Sequence, residues 1–483
     1  MNLFKRTMLR SAIATLAVGV STFATFADVK PASIFTDHMV LQQNTNVAVW
    51  GWAKVGATVK VNTSWNHKTY TTSTDQAGKW KLKVSTPVAG GPYNMTFSDG
   101  KSLTLTDILV GEVWFCGGQS NMEMPMKGFR GQPILGSNEE ILKSANDQIR
   151  LYTVPRSSIT ERQENSKPSL WKASAPEAVA GFSATAYYFG KLLSEILHVP
   201  VGLINDSYGG SSIEAWMSPE VLKGYPEIKV PSKGDTIKEV SRTPTTLYNG
   251  MLFPVMGYGI RGAIWYQGES NYERADQYER LFPDLVKEWR NIWGMGEFPF
   301  YFMQIAPYNY EQLPPYRKGG KFSSAFIRDA QRKSLDRIPN SGMAVTMDIG
   351  EENSIHPANK KQGGTRLAYL ALAQTYGVKG FGFSSPAYES MEIKDNSAVL
   401  KFKSAANGLT SFGKPLNLFE IAGADRKFFP ATAKLSGSSI TVSSEQVKKP
   451  AAVRYAFKDF VIGDLFGTDG LPVSSFRTDD WDN

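Results

Sequence analysis

Residues 109–115 are almost entirely apolar and stop at Cys116-Gly117-Gly118-Gln119-Ser120-Asn121-Met122, and this junction constrains the fold more than any other segment. A buried strand that ends on glycines and turns into a helix is the repeating unit of open parallel sheets, whose ligands sit in the crevice at the strand ends. Ser120 would stand there with its hydroxyl in the crevice and backbone N–H groups around it, as acyl transfer needs. By itself the motif reads equally as a glycine-rich turn with a capping Ser or Asn. Segments further along the chain tilt the reading toward chemistry.

Histidine is scarce, which shortens the search for a general base: the chain holds only His38, His67, His198 and His356. The first two fall in a strand-rich N-terminal stretch, and His198 precedes Val199-Pro200 at the end of a helical pattern, a place for a packed or surface imidazole. His356 lies in Asp348-Ile349-Gly350-Glu351-Glu352-Asn353-Ser354-Ile355-His356-Pro357, between the apolar run 343–347 and a helical pattern over 358–376. A loop at the end of a further strand can bring this imidazole over Ser120 to take its proton.

Two more islands occupy the same kind of place. Asn205-Asp206-Ser207-Tyr208-Gly209-Gly210-Ser211-Ser212 follows the apolar run 199–204, and Gln267-Gly268-Glu269-Ser270-Asn271 follows 260–266. Glycines leave N–H groups open to a bound oxyanion, and an Asn or Gln side chain adds an amide donor. Gly209, Gly210, Gln267 and Asn271 therefore read, with the N–H of Ser120, as an oxyanion hole, the choice among them staying open. Gln119, Trp216 and Glu269 are the candidate substrate contacts. Turn chemistry alone would also account for each island.

In chain order, Gly-Gln-Ser-Asn-Met, Gly-Gly-Ser, Trp-Tyr-Gln-Gly-Glu-Ser-Asn and Ile-His-Pro resemble the sialate O-acetylesterase family, a branch of the SGNH hydrolases. Flanking stretches match as well, among them Phe35-Thr36-Asp37-His38-Met39, Val49-Trp50-Gly51-Trp52, Val453-Arg454-Tyr455 and Gly470-Leu471-Pro472, so the resemblance runs nearly end to end. It implies Ser120 as nucleophile, His356 as its base, and Gly209-Gly210 with 267–271 as the oxyanion blocks. One position departs from the pattern. Many SGNH hydrolases carry Asp three residues before the catalytic His, and Asn353 stands there. Asp348, Glu351 and Glu352 are near enough in sequence to substitute, or a backbone carbonyl holds His356 in a dyad. The Gly-x-Ser-x-Gly elbow is excluded, because Met122 occupies the second glycine position.

Lys5, Arg6 and Arg10 precede the apolar stretch 12–20, and Thr25-Phe26-Ala27 offers a small-residue cleavage site, so residues 1–27 read as a signal peptide and the product as periplasmic or secreted. Loss of those three basic residues lowers the formal charge from +8 to +5. No other run approaches the length of a membrane span, so no membrane insertion is expected. The basic residues are spread along the chain, which gives nucleic-acid binding no support. One cysteine, Cys116, permits no intramolecular disulfide, and four scattered histidines offer no metal cluster. Neither a metal nor a cofactor is implied.

The pattern shifts twice along the 483 residues. Residues 28–106 alternate in strand fashion, with Asp75-Gln76-Ala77-Gly78 as a hairpin-like turn. Over 107–380 apolar runs alternate with helical spacings, such as Tyr188, Leu192 and Ile196, or Tyr278, Leu281, Phe282, Leu285 and Trp289. That is the signature of an α/β unit, a parallel sheet with helices on both faces, here of the SGNH-hydrolase kind and flanked by β-strand domains at each end. Strands return over 381–483, and the resemblance places them with or beside the N-terminal β-region. Residues 225–246 read as an insertion loop.

The expected activity is removal of O-acetyl groups from sialic acids or related acetylated glycans through a Ser-His acyl-enzyme. Acetylated xylan or another polysaccharide is the alternative substrate. A non-catalytic carbohydrate-binding protein on the same scaffold is the alternative of another class, against which an intact Ser120 and His356 argue.

Overall fold

The strand Ser102–Gly118 is the spine of the molecule. Its first half pairs antiparallel with Gly90–Ser98 and parallel with Val40–Gln42, and its second half lies between Val201–Ser207 and Gly262–Tyr266, parallel to both. It passes without interruption through residues 106 and 107, so the N-terminal β-region and the α/β sheet share one strand. The computed structural model describes residues 29–313 and 323–481. The expected signal peptide lies outside them.

Beyond Val201–Ser207 the sheet continues to Asn146–Thr153 and an antiparallel edge, Lys172–Ser174; beyond Gly262–Tyr266 it continues to Phe300–Met303 and Ser341–Ala344. Alternate side chains enter two cores. Val113, Phe115, Ala263, Trp265, Phe300 and Phe302 pack with the helix Ala275–Trp293, while Trp114, Cys116, Ile264, Tyr266, Tyr301 and Met303 pack with Ala184–Leu197 and Lys360–Leu370. With both faces covered these strands can be apolar throughout, and each large side chain so buried contributes about 1.5–3 kcal/mol. This is the α/β sheet with helices on both faces that the sequence predicts.

Helix Ala184–Leu197 starts where the Ser183 hydroxyl accepts the Ala186 N–H and ends at His198 in the left-handed conformation, φ +54. His198 thus terminates a helix. The predicted Tyr188–Leu192–Ile196 stripe is corrected: Ile196 is exposed, and the buried face runs through Tyr187, Tyr188, Phe189 and Leu193. For Ala275–Trp293 the stripe of Tyr278, Leu281, Phe282, Leu285 and Trp289 is buried throughout.

In the N-terminal region Asp75 does cap a turn, its Oδ1 accepting the N–H groups of Ala77 and Lys79. The turn is not a hairpin. Lys68–Ser73 pairs with Thr58–Thr63, whereas Lys79–Ser85 pairs with Asn46–Trp52, so the chain crosses between two sheets there. The C-terminal strands form small antiparallel sheets. Their polar anchors run to the α/β unit, where the expectation had placed them beside the N-terminal strands. Buried Arg328 on the helix Ser324–Ser334 donates to Ser475 Oγ and the Asp459 carbonyl, Asp329 accepts Arg477, and Gln304 donates to Ser474 Oγ. A buried guanidinium needs such acceptors, and the tail supplies them.

Candidate active site

Gly118 is level with Ser207 on one neighbouring strand and with Tyr266 on the other. The residues that follow the three strands therefore gather at one edge of the sheet: Gln119 and Ser120, Tyr208 to Gly210, and Gln267 to Asn271. Gly118 has φ +146, and a Cβ on it would lie 2.2 Å from the Tyr266 carbonyl oxygen, so only glycine lets the strands approach here. The short helix Ser120–Glu123 begins at once. The His356 loop arrives from beyond the edge strand Ser341–Ala344 and is tied to the same turn by Asn121, whose Nδ2 donates to the Ile355 carbonyl at 3.0 Å.

Ser120 and His356 line one cavity of about 910 Å³, together with Gln119, Gly209, Gly210 and Glu269. Ser120 and His356 are not hydrogen-bonded to each other in this state, a looseness common before substrate binds. Phe129 meets the imidazole edge-on at 5.3 Å. Burial, and secondarily the Lys360 ammonium, pushes the His356 pKa down to about 4, so the ring is neutral and able to accept a proton at physiological pH.

The expected carboxylate partners of His356 are corrected. Asp348 is held by Arg366 through two hydrogen bonds of 2.7 and 2.6 Å, because that guanidinium is buried and requires a counter-ion. Glu351 accepts the Ala358 N–H at 2.7 Å, Glu352 is exposed, and Asn353 accepts from Gln312. The group on His356 Nδ1 is the side-chain oxygen of Gln132, 2.6 Å away. Nothing in the chain around Gln132 marks it, and 224 residues separate the partners.

Among the described residues neither the Ser120 nor the Gly210 N–H has an intramolecular acceptor, and both residues line the cavity. The Gly209 N–H is already taken: it donates to Glu123 Oε2 at 2.8 Å, and Glu123 also pairs with Arg156. Gln267 and Asn271 are likewise withdrawn as donors. Gln267 Nε2 is spent on the Ser211 carbonyl and Asn271 Oδ1, and Asn271 Nδ2 on Glu214; both side chains are buried behind the cavity wall. Trp216 is fully buried, with Nε1 on Ser211 Oγ, and offers no face to a sugar. Gln119 does line the cavity. Its Oε1 accepts the N–H groups of Gly268 and Ser270, which turns its Nε2 away from them as an uncommitted amide donor.

Glu269 also lines the cavity, although nearly all of the residue is buried. Its Oε1 accepts Asn121 Nδ2 at 2.5 Å, Oε2 has no protein partner, and burial raises its pKa. Asn121 Oδ1 in turn accepts the Lys360 ammonium at 2.5 Å, and burial brings the Lys360 pKa down to about 7. A carboxylate, an amide and an ammonium thus connect the nucleophile turn, the 267–271 segment and the His356 loop. Lys360 follows His356 by four residues, the one sequence signal that could have found it. Among the described residues no group of three His, Cys, Asp or Glu side chains is placed to hold a metal ion.

Residues 110–373, more than half of the chain, match the family described as carbohydrate esterase, sialic acid-specific acetylesterase. The sialate O-acetylesterase of Rattus norvegicus is 30% identical over 76% of this chain and 78% of its own length, and that of Mus musculus 29% identical over 76% and 77%. The crystal structure of a carbohydrate acetylesterase from Xanthomonas citri superimposes with a TM-score of 0.85 at 34% identity, covering 94% of this chain and all of that one. With the strand-end serine, the loop histidine and the shared cavity in place, the chain belongs to the sialic acid-specific acetylesterase family of carbohydrate esterases and is a carboxylic ester hydrolase acting on O-acetylated carbohydrate.

Proposed function

We propose that the acetyl group is removed in two steps through Ser120. His356 Nε2 takes the hydroxyl proton as Ser120 Oγ bonds to the acetyl carbonyl carbon. The oxyanion is met by the N–H groups of Ser120 and Gly210 and by Gln119 Nε2. As the tetrahedral species collapses, the bond from carbon to sugar oxygen breaks and His356 returns the proton to that oxygen. Water, deprotonated in the same way, then releases acetate from Ser120. The observation that carries this reading is a strand-end serine, with unclaimed N–H donors beside it, sharing a cavity with a neutral imidazole.

The family points to sialic acids or related acetylated glycans. Charge in the cavity favours a second reading. Glu123 is paired with Arg156, Glu214 with Arg274, and buried Glu269 is joined through Asn121 to the Lys360 ammonium, which leaves Glu239 and Glu273 against Arg242 among the lining side chains. An excess of carboxylates disfavours an anionic sugar and suits a neutral O-acetylated polysaccharide such as acetylated xylan. Acetate release from acetylated sialic acid, xylan and other glycans decides between them, with Ser120→Ala as the control. That variant should lose several orders of magnitude in turnover on every active substrate. Retained turnover would refute the nucleophile, and a clear preference for sialic acid would refute the charge argument. We further propose that residues 1–27 are removed on export to the periplasm or medium; N-terminal sequencing of the mature protein tests this.

A further inference from the structure

We infer that Gln132 is the positioning residue of His356, a neutral amide in the place that a carboxylate holds in a Ser-His-Asp triad. The inference rests on the esterase reading above. A base must present Nε2 with a lone pair, which requires the ring proton on Nδ1. Gln132 Oε1, 2.6 Å from Nδ1, accepts that proton and selects the competent tautomer. Its Nε2 in the same place would select the incompetent one.

The surroundings hold Gln132 to this contact. Residues 128–132 form a tight turn in which the Gln132 N–H donates to the Phe129 carbonyl, and a Cβ on Gly128 would lie 2.4 Å from the Gln132 carbonyl oxygen. The same turn places the Phe129 ring against the imidazole. Leu135 N–H donates to the Ala358 carbonyl, which fastens this segment to the His356 loop.

The alternatives on the imidazole are occupied elsewhere. Glu351 caps Ala358, Asp348 holds Arg366, and Glu269 has one oxygen on Asn121 and neither on the imidazole. Lys360 is the charge acting on the ring from its own segment; Glu273 and Arg274 line the same cavity, and Lys127 and Arg130 on the Gln132 turn are exposed. Among the described residues no carboxylate is hydrogen-bonded to the imidazole, so the imidazolium that forms during the reaction has only a neutral amide on Nδ1. An acid limb of kcat/KM near pH 4 follows, because protonation of the base is what ends activity on the acid side.

The test compares Gln132→Ala and Gln132→Glu with the parent in pH profiles of kcat and kcat/KM for acetyl ester hydrolysis. His356 is titrated in parallel by NMR of histidine-labelled protein, its signal identified from His356→Gln. Gln132→Ala should lower kcat by about 10–100-fold with little change in KM, as loss of the partner that orients a functional histidine does. Gln132→Glu should retain more kcat than Gln132→Ala and move the acid limb and the NMR midpoint up by about 1–3 pH units, since an opposite charge at this distance favours the imidazolium. Parental kcat in Gln132→Ala, or an NMR midpoint unmoved in Gln132→Glu, overturns the inference. If the parent hydrolyses no acetyl ester, the esterase reading fails, and the NMR midpoints still decide whether Gln132 governs His356.

Discussion

Replacing Asn121 by Ala should destabilise the protein and slow it together. The side chain is 1% exposed and makes three hydrogen bonds: to Glu269 at 2.5 Å, to the Ile355 carbonyl at 3.0 Å and from Lys360 at 2.5 Å. Bonds to charged groups contribute about 1.5–3 kcal/mol each and a neutral one about 1 kcal/mol. Their sum of about 4–7 kcal/mol is an upper bound. A water can enter the vacated space, and Glu269, whose pKa burial already raises, can bind a proton. A net loss of about 2–4 kcal/mol remains. Urea unfolding of the purified variant measures it from the shift in midpoint at an unchanged slope. Release of Ile355 also loosens the His356 loop, so kcat should fall more than KM rises. A stability loss below about 1 kcal/mol with parental kcat would refute the view that this amide joins the three segments.

Lys360→Met removes a positive charge that disfavours the imidazolium, so the acid limb of kcat/KM should move above pH 4; because burial is the larger cause, it should stop short of the ordinary histidine value near 6.5. Asp348→Asn should cost about 1–3 kcal/mol of stability by leaving buried Arg366 under-compensated, seen in urea unfolding, while the acid limb stays where it is. A shifted limb would return Asp348 to the catalytic set.

The parts of the site legible in the sequence are those written in consecutive residues. Glycines 117 and 118 with Ser120 announce a strand end because the backbone approach at Gly118 excludes any side chain. His356 is legible by scarcity and by its loop after an apolar run. What each polar group is free to do was not legible. Gln267 and Asn271 carry the right amides, yet Ser211 and Glu214, more than fifty residues away, consume their donors. Asp348 is diverted by an arginine 18 residues downstream, and Gln132 reaches His356 only because the fold folds its turn over that loop. The crossing of residues 75–78 between two sheets has the same origin, since Asp75 caps a turn in either topology and long-range pairing chooses.

If Ser120 carries the acyl group, covalent labelling will find it there. The protein is treated with a serine-directed fluorophosphonate while acetyl ester hydrolysis is followed, then digested and mapped by mass spectrometry. One adduct is expected, on Ser120, growing in proportion to the activity lost, and none in Ser120→Ala. An inactivating adduct on another serine, or full activity in protein labelled at Ser120, would rule out Ser120 as the nucleophile.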